Sequence, residues 1–177
     1  MPMAFASSLS TRSDTADAAA EACERAVSRL GEGPPPDLAF VFFTAEHAPR
    51  AVDLDRVAHE RLGVSTLIAV SAEGVLGDDR EIERAAGVAV LAARLPGVAC
   101  KPFLFQDFPR PPATPEPGWA SGALGPIIGA DDALRATIVF TDPFSVPLVK
   151  LLPLLGEARG DLSGPLLGGV ASAAAVP

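Results

Sequence analysis

Six consecutive apolar residues, Leu38-Ala39-Phe40-Val41-Phe42-Phe43, stand between Asp37 and Thr44. A strand with one solvated face alternates polar and apolar residues, so an unbroken run of this length calls for cover on both faces. The chain is thereby directed to layered folds in which other elements pack on each side of a sheet. Beyond Thr44, the segment Glu46 to Leu62 carries Ala51, Leu54, Val57, Ala58 and Leu62 at helical spacing and closes at Gly63. Thr66-Leu67-Ile68-Ala69-Val70 is apolar again. Strand, helix and strand in this order predict a parallel βαβ unit with a right-handed crossover.

Upstream, Ala4 to Ser10 is short and partly alternating and reads as a strand, and Ser13 and Asp14 offer N-caps to an Ala-rich helix ending at Leu30-Gly31. Ala19, Cys23, Ala26, Val27 and Leu30 fall on one face of that helix, so packing alone accounts for Cys23. Downstream, Ser71 to Gly77 reads as a Gly-punctuated turn, Asp78 to Glu83 as a solvated acidic stretch, and Gly87 to Ala93 as another strand with Val98 to Phe108 beside it. Five prolines in nine residues, Pro109 to Pro117, exclude helix and central strand and mark a surface connection.

The pattern then returns. Ala136 to Thr141 is a polar-capped apolar strand ending on Thr, like Leu38 to Thr44. A Leu-rich helix from about Val146 to Leu155, capped by Ser145 and bent at Pro153, leads to a strand at Pro165 to Ser172. The expected fold is α/β, with two tandem related βαβ modules, 1–108 and 119–177, forming a mixed, largely parallel sheet packed by helices. The connection 109–118 joins them within a single domain, 1–177. The second copy stops five residues after Ser172, so either the duplication is incomplete or the chain is cut inside its domain.

Composition narrows the function. With 22 acidic against 14 basic residues the formal charge is −8, which disfavours nucleic acid and anionic membranes as partners. Neither a signal peptide nor an apolar stretch of membrane-spanning length is present, so a soluble cytoplasmic protein is expected. Cys23 and Cys100 read as buried thiols in a reducing compartment. No clustering of His with acidic residues suggests a metal, and neither Gly74-Val75-Leu76-Gly77 nor Gly122 to Gly125 is a phosphate or dinucleotide loop, so no cofactor is expected.

Phe5 to Thr11, Leu38 to Thr44, Leu67 to Gly77 with its Ser-Ala-Glu-Gly core, Asp142-Pro143-Phe144 and Gly168-Gly169-Val170-Ala171-Ser172 together resemble the N-terminal FIST domain. The family comprises sensory domains of bacterial signalling proteins and some F-box proteins. The resemblance implies a cytoplasmic sensor that binds a small ligand, such as an amino acid, and is followed by a C-terminal FIST or signalling output domain. No such second domain is visible in these residues.

Open α/β sheets bind ligands beyond the carboxyl ends of their strands. Thr44, Glu46 and His47, then Ser71 and Glu73, then Thr141 and Asp142, and finally Ser172 mark those ends and form the candidate ligand set. Glu46, Glu73 or Asp142 would meet an ammonium group, while hydroxyls and backbone N–H groups would meet a carboxylate. The competing reading is that Thr44, Ser71 and Thr141 merely cap the following helix or turn. A hydrolase built on Ser71, His47 and Asp142 is a rival, but Val-Ser-Ala-Glu-Gly is no nucleophile elbow and nothing marks an oxyanion hole. An interaction scaffold with exposed sheet edges is another. Trp119 is expected either to stack on a ligand or to anchor its loop to the core.

Overall fold

The computed structural model describes residues 2–160 and 164–173 and shows two compact units, one built on Met1–Cys100 and joined by Ser172, the other on Lys101–Ala171. Both are α/β: the first packs helices on a mixed sheet, and the second on a parallel strand pair.

In the first unit a four-stranded sheet runs in the order β1 (Ala4–Ser10), β6 (Val88–Arg94), β2 (Leu38–Thr44), β3 (Thr66–Ala72). β2 and β3 are parallel, and β6 is antiparallel to both β1 and β2. The apolar run at β2 is therefore a central strand. Its Ala39, Val41 and Phe43 face the helices, while Phe42 faces a second, smaller cluster. Helix α1 (Thr15–Leu30) starts at Asp14, whose side chain accepts the Asp17 amide at 3.0 Å. It lays Ala18, Ala19, Ala22, Cys23 and Ala26 on the sheet, all fully buried. These small residues bring helix and strand close enough for Ser8 Oγ to donate to Ala22 O at 2.6 Å. Burial pushes the Cys23 thiol up to about 12, leaving it an inert packing group.

The β2 connection differs from the single helix expected over Glu46 to Leu62. A 3₁₀ turn covers Ala45–Arg50, and only then does α2 (Ala51–Leu62) begin. Pro49 accounts for the delay, because it has no amide hydrogen to donate and disfavours helical backbone at the residue before it. Gly63, at φ 60° and ψ 23°, closes α2 in the left-handed conformation that glycine adopts without strain.

Residues 71–83 hold a hairpin where glycine content suggests a turn, although Asp79, Arg80, Glu81 and Glu83 are exposed as expected of a solvated stretch. β3 continues through Ala72, and β4 (Gly74–Gly77) pairs antiparallel with β5 (Arg80–Glu83). Val75 and Ile82 pair directly and pack with Leu9, Phe42 and Ala89 on the sheet face opposite the helices. Asp78 and Asp79 make the reversal at φ 53° and 62°. Asp78 is held there by an ion pair with Arg29 and by the Leu9 amide, and the Arg29 guanidinium keeps its carboxyl below the usual range. Gly87 lies beneath this hairpin, where an added Cβ would stand 2.8 Å from Val75 Cγ2 and 3.2 Å from Ile82 Cγ2. Gly87→Ala is accordingly expected to cost about 1–3 kcal/mol through overpacking, measurable as a lower urea midpoint at unchanged m-value.

The second unit contains α3 (Trp119–Ala123), α4 (Gly125–Ile128), β7 (Thr137–Thr141), α5 (Leu148–Arg159) and β8 (Leu166–Val170). β7 and β8 are parallel with α5 between them in sequence, as β2 and β3 are with α2. The α5 cap is Pro147 rather than Ser145, whose hydroxyl is engaged by Asp142. Val98 to Phe108 forms no strand among the described residues. Its only regular piece is a 3₁₀ turn at Phe105–Asp107, and Phe103 stacks on Phe108 at 5.6 Å between ring centroids. Phe103, Phe108 and Trp119 pack around Ala120, Leu124, Leu151 and Leu155, so Trp119 is an anchor of this core. Cys100 is only half-buried, contrary to the expectation of two buried thiols.

Candidate functional site

The carboxyl ends of β2 and β3 lie side by side, with Thr44 opposite Ala72 and Phe43 opposite Ser71. Residues in register on parallel strands point to the same face. Ser71 is therefore on the helix side with Phe43, and Thr44 on the hairpin side with Ala72.

Five of the candidate residues gather at this edge, but they differ in what they present. Thr44 is buried, and its Oγ1 accepts the Gly87 amide at 3.0 Å, so it ties the end of β2 to the start of β6. The Thr44 hydroxyl also holds the Glu46 carboxyl below the usual carboxylate range. Glu46 itself is exposed. His47 is fully buried, and its Nδ1 lies 3.0 Å from Oγ1 of Thr15, the first residue of α1. Burial lowers the His47 pKa, with Glu46 and Asp14 opposing the shift. Ser71 is half-buried and Glu73 exposed. Neither the Ser71 hydroxyl nor the Glu73 carboxylate has a partner among the described residues.

The turn is fastened by a second set of contacts. Arg50 donates to Asp14 and to Asp53, each at 2.9 Å. The Asp17 amide, and after it Arg50, holds the Asp14 carboxyl below its ordinary value. Thr15, Arg50 and Gly87 were not among the sequence candidates. Thr15 and Gly87 meet the turn from 32 and 43 positions away, and no local motif announces such pairs.

Ser172 groups with the first unit, and its hydroxyl accepts the Glu73 amide at 2.9 Å. Thr141 and Asp142 belong to the second. Thr141 is buried, and its Oγ1 has no partner among the described residues. Asp142 closes its own loop by accepting the Ser145 hydroxyl and the Phe144 amide at 3.0 Å, and those two bonds lower its pKa. Its carboxylate acts as a turn cap.

The His47 imidazole engages Thr15, and among the described residues no hydrogen bond joins it to Ser71. Two surface depressions lie elsewhere. One, of about 510 Å³, runs over the outer face of α1, where Glu21 pairs with Arg12 and Arg25. The other, an apolar groove of about 360 Å³, lies between α5 and β8 and is lined by Leu148, Leu152, Leu167 and Val170. Among the described residues no group of three or more His, Cys, Asp and Glu is placed to hold a metal ion, and no helix is long and apolar enough to cross a membrane.

Residues 37–176 match the FIST N domain. The chain belongs to the FIST N domain family. The match begins at Asp37, the residue that opens β2, and takes in the whole candidate edge together with the second unit's βαβ element. FIST N domains are sensory, signal-transduction domains. Searches of curated proteins and of solved structures gave no match.

Proposed function

We propose that this FIST N domain is a non-enzymatic sensor that binds a small zwitterion of the amino-acid type and passes its occupancy to a C-terminal FIST or signalling output domain in the cytoplasm. The observation that carries the reading is the placement of two exposed carboxylates, Glu46 and Glu73, two residues and one residue beyond the carboxyl ends of adjacent parallel strands. Neighbouring strands run about 4.8 Å apart, so the two residues leave the sheet from adjacent points and offer negative charge to one ammonium group. Ser71 supplies a hydroxyl on the same edge. Thr44 and His47 are internal supports of the turn rather than ligand contacts, and Ser172 steadies the Glu73 backbone. Thr141 and Asp142 mark the corresponding strand end of a second βαβ module in the second unit, in keeping with a duplicated element.

Signalling requires that the ligand bind one arrangement of the domain better than another. A thermal-shift screen against the standard amino acids tests the reading. A ligand at about a hundred times its dissociation constant adds roughly 2.7 kcal/mol to stability, a readily visible shift. A cognate amino acid is expected to shift the transition, while its N-acetyl derivative, lacking the ammonium, leaves it in place. Equal shifts with both forms, or none with any amino acid, would count against the site.

A further inference from the structure

His47 has a feature that ligand contact leaves unexplained. It is fully buried, yet only Nδ1 has a partner, the Thr15 hydroxyl at 3.0 Å, and Nε2 has none among the described residues. Thr15 is buried too and opens α1, so the imidazole clasps the β2–α2 connection to the N-terminus of that helix. A neutral ring suits this place, because one nitrogen can share the Thr15 bond and the other can remain a bare acceptor. A protonated ring does not. Both nitrogens would then donate, leaving a buried N–H without an acceptor, and a full positive charge would face the positive end of the α1 dipole.

We propose that His47 is a proton-binding site that makes this domain acid-responsive: protonation breaks the clasp to Thr15 and frees the Ala45–Arg50 turn together with Glu46. The charged groups around it set the working range. Glu46 on the same turn and Asp14 ahead of α1 both favour the cation, which moderates the penalty of burial. Arg50, also on the turn, is held between Asp14 and Asp53 of α2, and Thr44 at the end of β2 is neutral and bonded to Gly87. Asp14 and Glu46 both titrate below the ordinary carboxylate range. They stay ionised between pH 5 and pH 7.5, where the change at this clasp falls to His47.

The sign follows from linkage. The closed form binds the proton less well than the open one, so the clasp contributes fully above the ordinary imidazole pKa of about 6.5 and declines as pH falls from there toward the lowered pKa of the closed form. Opening therefore rises as pH falls from 7.5 to 5, with a ceiling of about 30-fold reached when the closed form takes up no proton in that range. The consequence for Glu46 rests on the ligand-site reading above, whereas the clasp itself is read without ligand. An amino-acid screen that fails while the clasp opens in acid would remove the first and leave the second.

The test is an NMR titration of the full chain from pH 8 to pH 5, following the ring resonances of its two histidines, His47 and the exposed His59. It is combined with hydrogen exchange at the Ala51 amide, which donates to Ala48 O within the turn, and at the Thr44 amide, which donates to Gly87 O in the sheet. After correction for intrinsic exchange, Ala51 is expected to lose protection progressively between pH 7.5 and pH 5, by up to about 30-fold, while Thr44 holds. His47→Asn should abolish the pH dependence at Ala51. Protonation of His47 at or above pH 6.5 without loss of protection, or an unchanged pH dependence in the Asn variant, would overturn the proposal. If that variant does not fold, the wild-type ring titration and the Ala51 exchange still decide.

Discussion

Replacing Arg94 by Met is expected to destabilise the first unit by about 3 kcal/mol and to lower its unfolding midpoint by about 12–24 °C. Arg94 is only 8% exposed at the end of β6, and its guanidinium donates to four main-chain carbonyls, those of Leu30, Gly31, Glu32 and Pro34. The carbonyls of a helix C-terminus have no intrahelical donors and carry the negative end of the dipole, so a buried cation is favourable there. Hydrogen bonds to a charged donor each contribute more than neutral ones, and water reaching the freed carbonyls recovers part of the loss. Arg94→Lys keeps the charge but loses the planar fork, so its midpoint should fall between wild type and Met. Calorimetry on the three proteins checks the order. A Met variant as stable as wild type would show that the cage does not hold α1 to β6.

Leu54→Ala is the other large effect, expected at about 3–4 kcal/mol. Leu54 is fully buried on α2 in the cluster that joins both helices to β2 and β6. Truncation removes its apolar surface from burial and leaves a cavity that neighbouring alanines are too small to fill. Val52, on the same helix and 84% exposed, is the control, and its replacement by Ala should change stability by less than about 0.5 kcal/mol. Urea denaturation of both variants separates lost packing from a general effect on helix α2. A small Leu54 effect would mean that α2 is not part of the cooperative core.

The two effects differ in how visible they are in sequence. Leu54 falls on the apolar stripe of a periodic segment, as do Ala19, Cys23 and Ala26, because helical burial repeats on a local period. The β2 run and the strands around Thr66 and Thr137 are legible for a similar reason. Arg94 is not, since its acceptors are carbonyls about sixty positions earlier and carbonyls carry no side-chain signal. The β4–β5 hairpin is hidden because Val75 and Ile82 are the only apolar residues that its two four-residue strands turn inward, and their neighbours Leu76, Glu81 and Glu83 are exposed. Val98 to Phe108 shows the opposite failure. Its phenylalanines look like strand residues, but Phe103 and Phe108 stack and pack in the core of the second unit while the exposed Phe105 meets Phe108 edge-on. At the candidate edge, the positions of Thr44, Glu46, His47, Ser71 and Glu73 beyond the strand ends follow from the strand assignments. Which of them face inward does not, because the direction of Thr44 and His47 is fixed by distant partners, Gly87 and Thr15.

The central claim, a zwitterion site at the β2–β3 edge, is tested most directly by calorimetric titration of the amino acid that shifts the melting transition. The titrations are run at pH 7.5 into wild type and into a Glu46→Gln/Glu73→Gln double variant. Loss of two charge-assisted contacts to the ammonium should weaken binding by at least about tenfold, which corresponds to 1.4 kcal/mol. The unfolding transition of the double variant should remain close to that of wild type, since both side chains are exposed. Binding of equal affinity to both proteins would contradict the assignment of the site to this edge.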